Sequence, residues 1–358
     1  MTPCCMNEEE MGSVLVESME SIFAGEKFRK LREKFLKGDF PESCASCEKL
    51  EGQGVTSLRQ SVNQRFKKDV LSMGLLADPS GKLPYYRPKS LDIRFSNTCN
   101  FKCRTCGPGC SSSWAKEENL VTLKPLPENI LEDVLKIIPD AEEVYFAGGE
   151  PLLISENLTV IEEIKKVNPS TRVIYNTNLS SLTFLGMDYL KVWKDLKDLL
   201  IIVSLDDLGA KGEYLRSGMR FSKFVENIKK LEQAGIEFQF NIVVSAINIF
   251  SLKEMDEFFA REFPLIITEF TLLHTPSHLR ISVFPQEIEA ILVPYLYALR
   301  EESSNKSLQS FIELALSELG EDQAGGFADL ISAIRLIDHR RGESFTQVYS
   351  THPMKAYL

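Results

Sequence analysis

Between residues 90 and 285, short apolar runs alternate six times with longer stretches whose apolar residues recur at helical spacing. A strand, a helix and a second strand close as a right-handed crossover, so repeating the unit builds one parallel sheet covered by helices. The strands read as residues 91–96, 143–148, 172–176, 199–205, 237–244 and 265–271. The helices between them read as 128–138, 158–167, 185–195, 221–234 and 252–259, with their apolar faces assigned to the core. The expected fold class is therefore α/β, a partial (β/α)6 barrel of the TIM-like kind. In such sheets ligands gather at the carboxyl ends of the strands.

Chemistry-bearing residues fall at those ends. Cys99, Cys103 and Cys106 form a C-x3-C-x2-C run after the first strand. That spacing wraps one loop around a cubane iron–sulfur cluster, and three thiolates for four irons leave one iron open. Zinc is the alternative, because it takes four tetrahedral ligands and Cys110 could supply the fourth. The second strand runs into Val144-Tyr-Phe-Ala-Gly-Gly-Glu-Pro151. Two glycines bare backbone groups beside Glu150, Pro151 stops regular pairing, and a zwitterionic amino acid head group fits such an edge. The third and fourth strands end in Asn176-Thr-Asn178 and Ser204-Leu-Asp-Asp207.

The cysteine triplet together with Gly148-Gly-Glu-Pro151 resembles the radical S-adenosylmethionine (SAM) superfamily. The resemblance implies that Cys99, Cys103 and Cys106 hold the [4Fe-4S] cluster that cleaves SAM. It implies that Gly148, Gly149, Glu150 and Pro151 contact the methionyl amino group and that Asn178 lies beside the cofactor. Ser204 would reach the methionyl or ribose part, and Arg216, in Tyr214-Leu-Arg-Ser-Gly, would pair with the SAM carboxylate, which suits a guanidinium fork. Val243 and Val244 end the fifth strand, where relatives set an apolar side chain against adenine. One departure stands out: many members have an aromatic residue before the third cysteine, and here it is Thr105, leaving Phe101 or Trp114 to compensate. His274, His278, Tyr175 and Asp207 are polar groups near strand ends and are not assigned to catalysis.

Before residue 85 the texture changes. Charged helices read at 17–23 and 27–36, a polar helix at 52–68, and a linker at Asp78-Pro-Ser-Gly81 with Pro84 and Pro88. Cys4, Cys5, Cys44 and Cys47 make a C-C…C-x2-C set that fits a zinc knuckle or a second iron–sulfur cluster. The set, with Lys37-Gly-Asp-Phe-Pro, Glu51-x-Gln-Gly54 and Ser57-Leu-Arg59, resembles the SPASM/twitch branch with its auxiliary-cluster module ahead of the barrel. Those proteins carry a further cysteine upstream of the pair, so either this chain starts late or its ligand set is reduced. The expected division is an auxiliary module and linker at 1–85, a barrel at 86–285 and a helical extension at 286–358 that ends in a polar tail.

Composition narrows the function classes. The formal charge is −10 and no basic run reaches five residues, which argues against nucleic acid as substrate. No apolar segment approaches membrane-spanning length, and the amino terminus lacks a signal peptide's pattern. All eight cysteines fall within the first 110 residues, a clustering that favours metal in a reducing, cytoplasmic compartment. The resemblance implies a radical enzyme supplied with electrons by a flavodoxin- or ferredoxin-type donor, acting on a peptide or protein. A sugar, nucleoside or other small metabolite is the alternative substrate, and a non-catalytic SAM- or zinc-binding protein the alternative class.

Overall fold

The computed structural model describes residues 1–358 apart from 6, 8, 53, 55, 86, 122–125 and 321–325. Gln53, quoted above in the amino-terminal motif, lies outside the described residues. Six strands form one sheet: β1 (Ser90–Ile93), β2 (Glu143–Phe146), β3 (Arg172–Thr177), β4 (Leu199–Ser204), β5 (Phe238–Val244) and β6 (Thr268–Leu272). Their spatial order is their chain order, as successive parallel crossovers require. The architecture is the expected α/β partial barrel.

Strand β5 shows how the sequence encodes two faces. Phe238, Phe240, Ile242 and Val244 are buried, while Gln239, Asn241 and Val243 are half-buried. The buried set packs under helix Leu252–Glu262, with the Phe240 ring 4.7 Å from that of Phe259 and 5.3 Å from that of Phe263. The other face turns inward, where polar side chains stay wet. A parallel strand covered on both faces would be apolar throughout; the alternation marks the inner face as the less buried one.

The chain divides into two compact units. The first comprises Met1–Phe95, Lys124–Tyr145 and Ser155–Arg172. Its amino-terminal helices, Met19–Ala24 and Glu26–Leu36, enclose a small core of Met11, Ile22 and Phe28. The Asp78-Pro-Ser-Gly81 stretch is a tight turn packed on the second helix: Gly81 accepts from Arg32 Nε at 2.7 Å, and a Cβ at Gly81 would lie 2.3 Å from the Arg29 carbonyl oxygen. The expected helix at 52–68 breaks at Ser57, whose hydroxyl caps Leu58–Arg65 in a reciprocal capping box with Gln60. Glu51 takes hydrogen bonds from Ser57 and Arg59, and Arg59 lies 4.7 Å over the Phe40 ring, so these motif residues tie the module's helices together.

The second unit comprises Ser96–Leu123, Phe146–Ile154 and Val173–Leu358. The expected helix at 185–195 shrinks to Tyr189–Trp193. Leu185 and Gly186 both have positive φ and turn a short hairpin, Thr183–Phe184 against Met187–Asp188. The expected polar tail is also corrected: Phe345, Tyr349, His352 and Met354 are buried. The rings of Phe345, Tyr349 and His352 pack on one another and on Tyr214 and Phe250, a spacing of aromatics that small polar neighbours disguise in the sequence. Among the described residues no helix is long and apolar enough to cross a membrane.

Candidate active site

The C-x3-C-x2-C loop is held by its own serines and a tryptophan. The Cys99 amide donates to Ser112 Oγ at 3.1 Å, and the Cys99 carbonyl accepts from Ser113 Oγ at 2.6 Å. Ser111 Oγ donates to the Phe101 carbonyl at 2.6 Å, and Trp114 Nε1 donates to the Cys103 carbonyl at 2.6 Å. Every one of these bonds fixes backbone and none of them engages a thiol. Trp114 and Phe101 are both buried, and Thr105 is half-buried.

Cys103 lies on a two-residue strand, Lys102–Cys103, paired antiparallel with Arg216–Ser217, and its direct partner is Arg216. Arg216 Nη1 donates to the fully buried Asp206 at 2.8 Å. Its Nε is buried without a hydrogen-bond partner among the described residues. Burial alone would depress this guanidinium, but Cys103, Asp206 and Cys106 outweigh it and hold Arg216 above its ordinary value. Burial pushes the Cys99 thiol up to about 11. In the Cys103–Cys106 pair, a hydrogen bond from Cys106 lowers Cys103 and the same bond raises Cys106.

Glu150 is buried, and its carboxylate is used internally: it accepts from the Leu152 amide at 3.1 Å, the Thr177 hydroxyl and the Asn178 amide at 2.7 Å. Burial raises it above the usual carboxylate range against those three bonds. The residue thus ties the end of β2 to the end of β3 and places Asn178, whose Nδ2 donates to Asn100 Oδ1 at 3.1 Å and lies 3.9 Å from Cys99 Sγ. Gly149 and Glu150 donate backbone N–H to Ser96 and Thr98, which docks the strand end on the root of the cysteine loop. Ser204 donates to Asn176 Oδ1 at 2.9 Å on the inner face. Val243 is half-buried on that face, whereas Val244 is core.

The second unit therefore assembles Cys99, Cys103, Cys106, Gly148–Pro151, Asn178 and Arg216 at adjoining strand ends. Asp206 and Ser111 to Ser113, missed by sequence reasoning, complete the frame together with Trp114, whose bond to the Cys103 carbonyl is a different role from the one expected of it; Asp206 sat in view beside Asp207. Tyr175 is core, ringed by Phe146, Tyr189 and Trp193. His274 is exposed, with its carbonyl bound by Arg280 at 2.8 Å, and His278 is half-buried. In the first unit, Cys44 and Cys47 follow one another on the turn Glu42–Cys44 and helix Ala45–Gly52, Cys4 lies within electrostatic reach of Cys44 while Cys5 faces Asp92 and Arg94, and Asn7 Nδ2 is 3.8 Å from Cys44 Sγ.

Thiolates are soft donors suited to zinc or iron–sulfur clusters. The buried, unpartnered Arg216 Nε beside the loop is a place for an anionic group. The donor set and the cation together fit a cluster with an adjacent carboxylate.

Asp207 is structural. It is buried, accepts from the Leu208 amide and from the Tyr349 hydroxyl, each at 2.8 Å, and burial pushes its carboxyl from 3.8 up to about 6. A raised carboxyl costs nothing where both states are protonated, and the cost grows as pH rises from about 4 to 6. At about 1.4 kcal/mol per pH unit, ionising it in the fold costs on the order of 3 kcal/mol. Asp207→Asn is expected to gain stability relative to the parent by roughly that amount between pH 4 and pH 7, read from thermal midpoints. A difference that does not move with pH overturns this account.

A sequence model described as the radical SAM superfamily matches residues 93–259, and one described as an iron–sulfur cluster-binding domain, SPASM, matches residues 1–48. The GTP 3′,8-cyclase of Campylobacter curvus is 26% identical over 170 residues, 47% of this chain and 49% of that protein. An S-adenosylmethionine-dependent nucleotide dehydratase of Lacinutrix mariniflava is 28% identical over 168 residues, 44% of this chain and 33% of that protein. The chain thus spans between a third and half of the length of these relatives. Among solved structures, anSMEcpe with bound AdoMet has TM-score 0.46 at 20% identity, covering 59% of each chain. Streptococcus suis SuiB bound to precursor peptide SuiA has TM-score 0.46 at 16% identity, covering 82% of this chain and 68% of that one. By both matched regions, this chain belongs to the radical SAM superfamily, in its SPASM/twitch branch.

Proposed function

We propose that the chain is a radical SAM enzyme whose cluster loop is Cys99, Cys103 and Cys106. The observation that carries this is the pairing of Cys103 with Arg216: a buried guanidinium with an unused N–H sits across one strand from a cluster cysteine. When bound, the [4Fe-4S] cluster and SAM supply reductive cleavage of the sulfonium to methionine and a 5′-deoxyadenosyl radical, which abstracts hydrogen from the substrate. The protein binds, orients and excludes water. Arg216 takes the SAM carboxylate through its free edge, while Asp206 fixes the opposite edge of the fork. Backbone groups of Gly148 to Pro151 meet the methionyl amino group, and the buried Glu150 keeps that strand end and Asn178 in register. Ser204 and Val243 line the inner face toward ribose and adenine.

Cys4, Cys5, Cys44 and Cys47 are proposed to ligate the auxiliary cluster, in keeping with the amino-terminal iron–sulfur match. A low-potential donor of the flavodoxin or ferredoxin type supplies the electron, in a reducing compartment. A peptide or protein is the proposed substrate. A nucleotide is the second reading, favoured by the names of the sequence relatives.

The test is anaerobic reconstitution with iron and sulfide, then dithionite and SAM, with 5′-deoxyadenosine followed by chromatography. The parent chain is expected to form it, and a variant carrying Cys99→Ala, Cys103→Ala and Cys106→Ala to form none. No 5′-deoxyadenosine from an iron-loaded parent refutes the enzyme reading. Adding GTP to the same assay separates the substrates: accelerated SAM cleavage with GTP supports the nucleotide reading over the peptide one.

A further inference from the structure

The Asp338-His-Arg-Arg341 run ends the helix Gly326–Arg341, far along the chain from the cysteines, and the function above leaves it without a task. Its side chains reach back to the strand pair Lys102–Cys103 and Arg216–Ser217. The Arg341 side chain is almost wholly buried and uses its planar fork in three directions. Nη1 donates to the Lys102 carbonyl at 2.9 Å and to Ser217 Oγ at 3.0 Å, one bond to each strand of the pair. Nη2 donates to Glu117 at 2.7 Å, and the guanidinium lies 4.6 Å over the ring of Trp114, whose indole N–H holds the Cys103 carbonyl.

A second buried cation completes the grip. Arg104 lies 3.6 Å over the Tyr214 ring and pairs with Asp338 and Glu343. Tyr214 donates its hydroxyl to Asp338 at 2.8 Å, and Ser217 donates to Glu343 at 3.0 Å. Further on, Tyr349 donates to Asp207, the neighbour of the carboxylate that holds Arg216. Residues 102, 104, 214 and 217 are thus all tied to the carboxyl-terminal segment, while among the described residues no hydrogen bond or ion pair joins that segment to Cys103 or Arg216.

We propose that residues 338–349 form a clasp that sets the register of the Cys103–Arg216 strand pair, with Arg341 as a positioning residue for the carboxylate-binding edge of Arg216. The proposal rests on the SAM-binding reading above. A simple scaffold needs no bond to each strand of a four-residue ladder. A clasp of this design fixes the distance between a cluster ligand and the cation beside it, and it acts through neighbours on both strands.

The test compares Arg341→Lys and Arg341→Ala with the parent, each reconstituted. Lysine keeps the charge opposite Glu117 and loses the fork. Two readouts are needed: amide hydrogen exchange across residues 102–106 and 214–218, and SAM affinity from the change in the reduced cluster's EPR spectrum. Both variants are expected to exchange at least tenfold faster in the strand pair, with β4 and β5 unchanged, and to bind SAM at least tenfold more weakly at parental iron content. Parental exchange and SAM affinity in Arg341→Lys overturn the clasp, as does faster exchange spread over the whole barrel in both variants. A parent that loads iron but shows no spectral change with SAM refutes the SAM reading instead, and the exchange data still decide the clasp.

Discussion

Arg216→Ala is expected to cost about 3–5 kcal/mol of folding stability and to abolish 5′-deoxyadenosine formation. The stability loss comes from Asp206. With Arg216 gone, a fully buried carboxylate keeps only the Val243 amide, 3.2 Å away, as a described donor to its side chain. Breaking one half of a buried pair leaves an uncompensated charge, which is why the cost exceeds what the pair itself contributes. The activity loss comes from the other edge of the fork, where the buried Nε has no partner. Those two causes separate in a double variant. Asp206→Asn with Arg216→Ala removes the stranded charge, so stability recovers by more than half while SAM cleavage stays absent. Arg216→Lys keeps a charge near Asp206 but not the two-edged geometry, so it retains most stability and little turnover. Thermal unfolding and the chromatographic assay read both. An Arg216→Ala protein that cleaves SAM at the parental rate would remove Arg216 from the site.

How much of this could be read from the sequence follows from where each interaction is encoded. The triplet and Gly148-Gly-Glu-Pro151 are local: ligand geometry and a bared strand end demand particular residues at fixed short spacing, so the chemistry shows in one dimension. The strands were legible for a similar reason, since burial on one face leaves an alternation like that of β5. The helix at 185–195 misled because its apolar residues continue the period across Leu185 and Gly186, whose positive φ turns the chain instead. The frame around the site was out of reach. Trp114 finds the Cys103 carbonyl within one loop, but Arg341 finds Lys102 and Ser217 only after the chain has closed. Asp206 and Asp207 look alike in sequence, yet one faces Arg216 and the other Tyr349, a split that only the turn after β4 decides.

Gly149→Ala is expected to prevent cluster loading while Gly109→Ala, in the same region, does not. A Cβ at Gly149 would lie 2.2 Å from the Thr98 carbonyl oxygen and 2.6 Å from that of Asn97. Those are backbone atoms, so no rotamer relieves the clash. The strand end must withdraw, and with it go the Gly149 N–H bond to Ser96 at 3.2 Å and the Glu150 N–H bond to Thr98 at 2.7 Å. Overpacking of this kind costs about 1–3 kcal/mol, and each lost buried hydrogen bond adds about 1 kcal/mol. The alternative is for Thr98 to move, and Thr98 is joined directly to Cys99, so relief of the clash displaces the first ligand. Gly107 and Gly109 follow the third cysteine but have nothing within 4 Å of an added Cβ. Equal reconstitution of the three variants is the measurement: iron bound by Gly149→Ala should fall below half the parental amount at the Cys99 loop, with Gly107→Ala and Gly109→Ala near parental. If all three load alike, the close approach of Gly149 to Thr98 is not what shapes the cysteine loop, and the docking of β2 on that loop loses its place in the site.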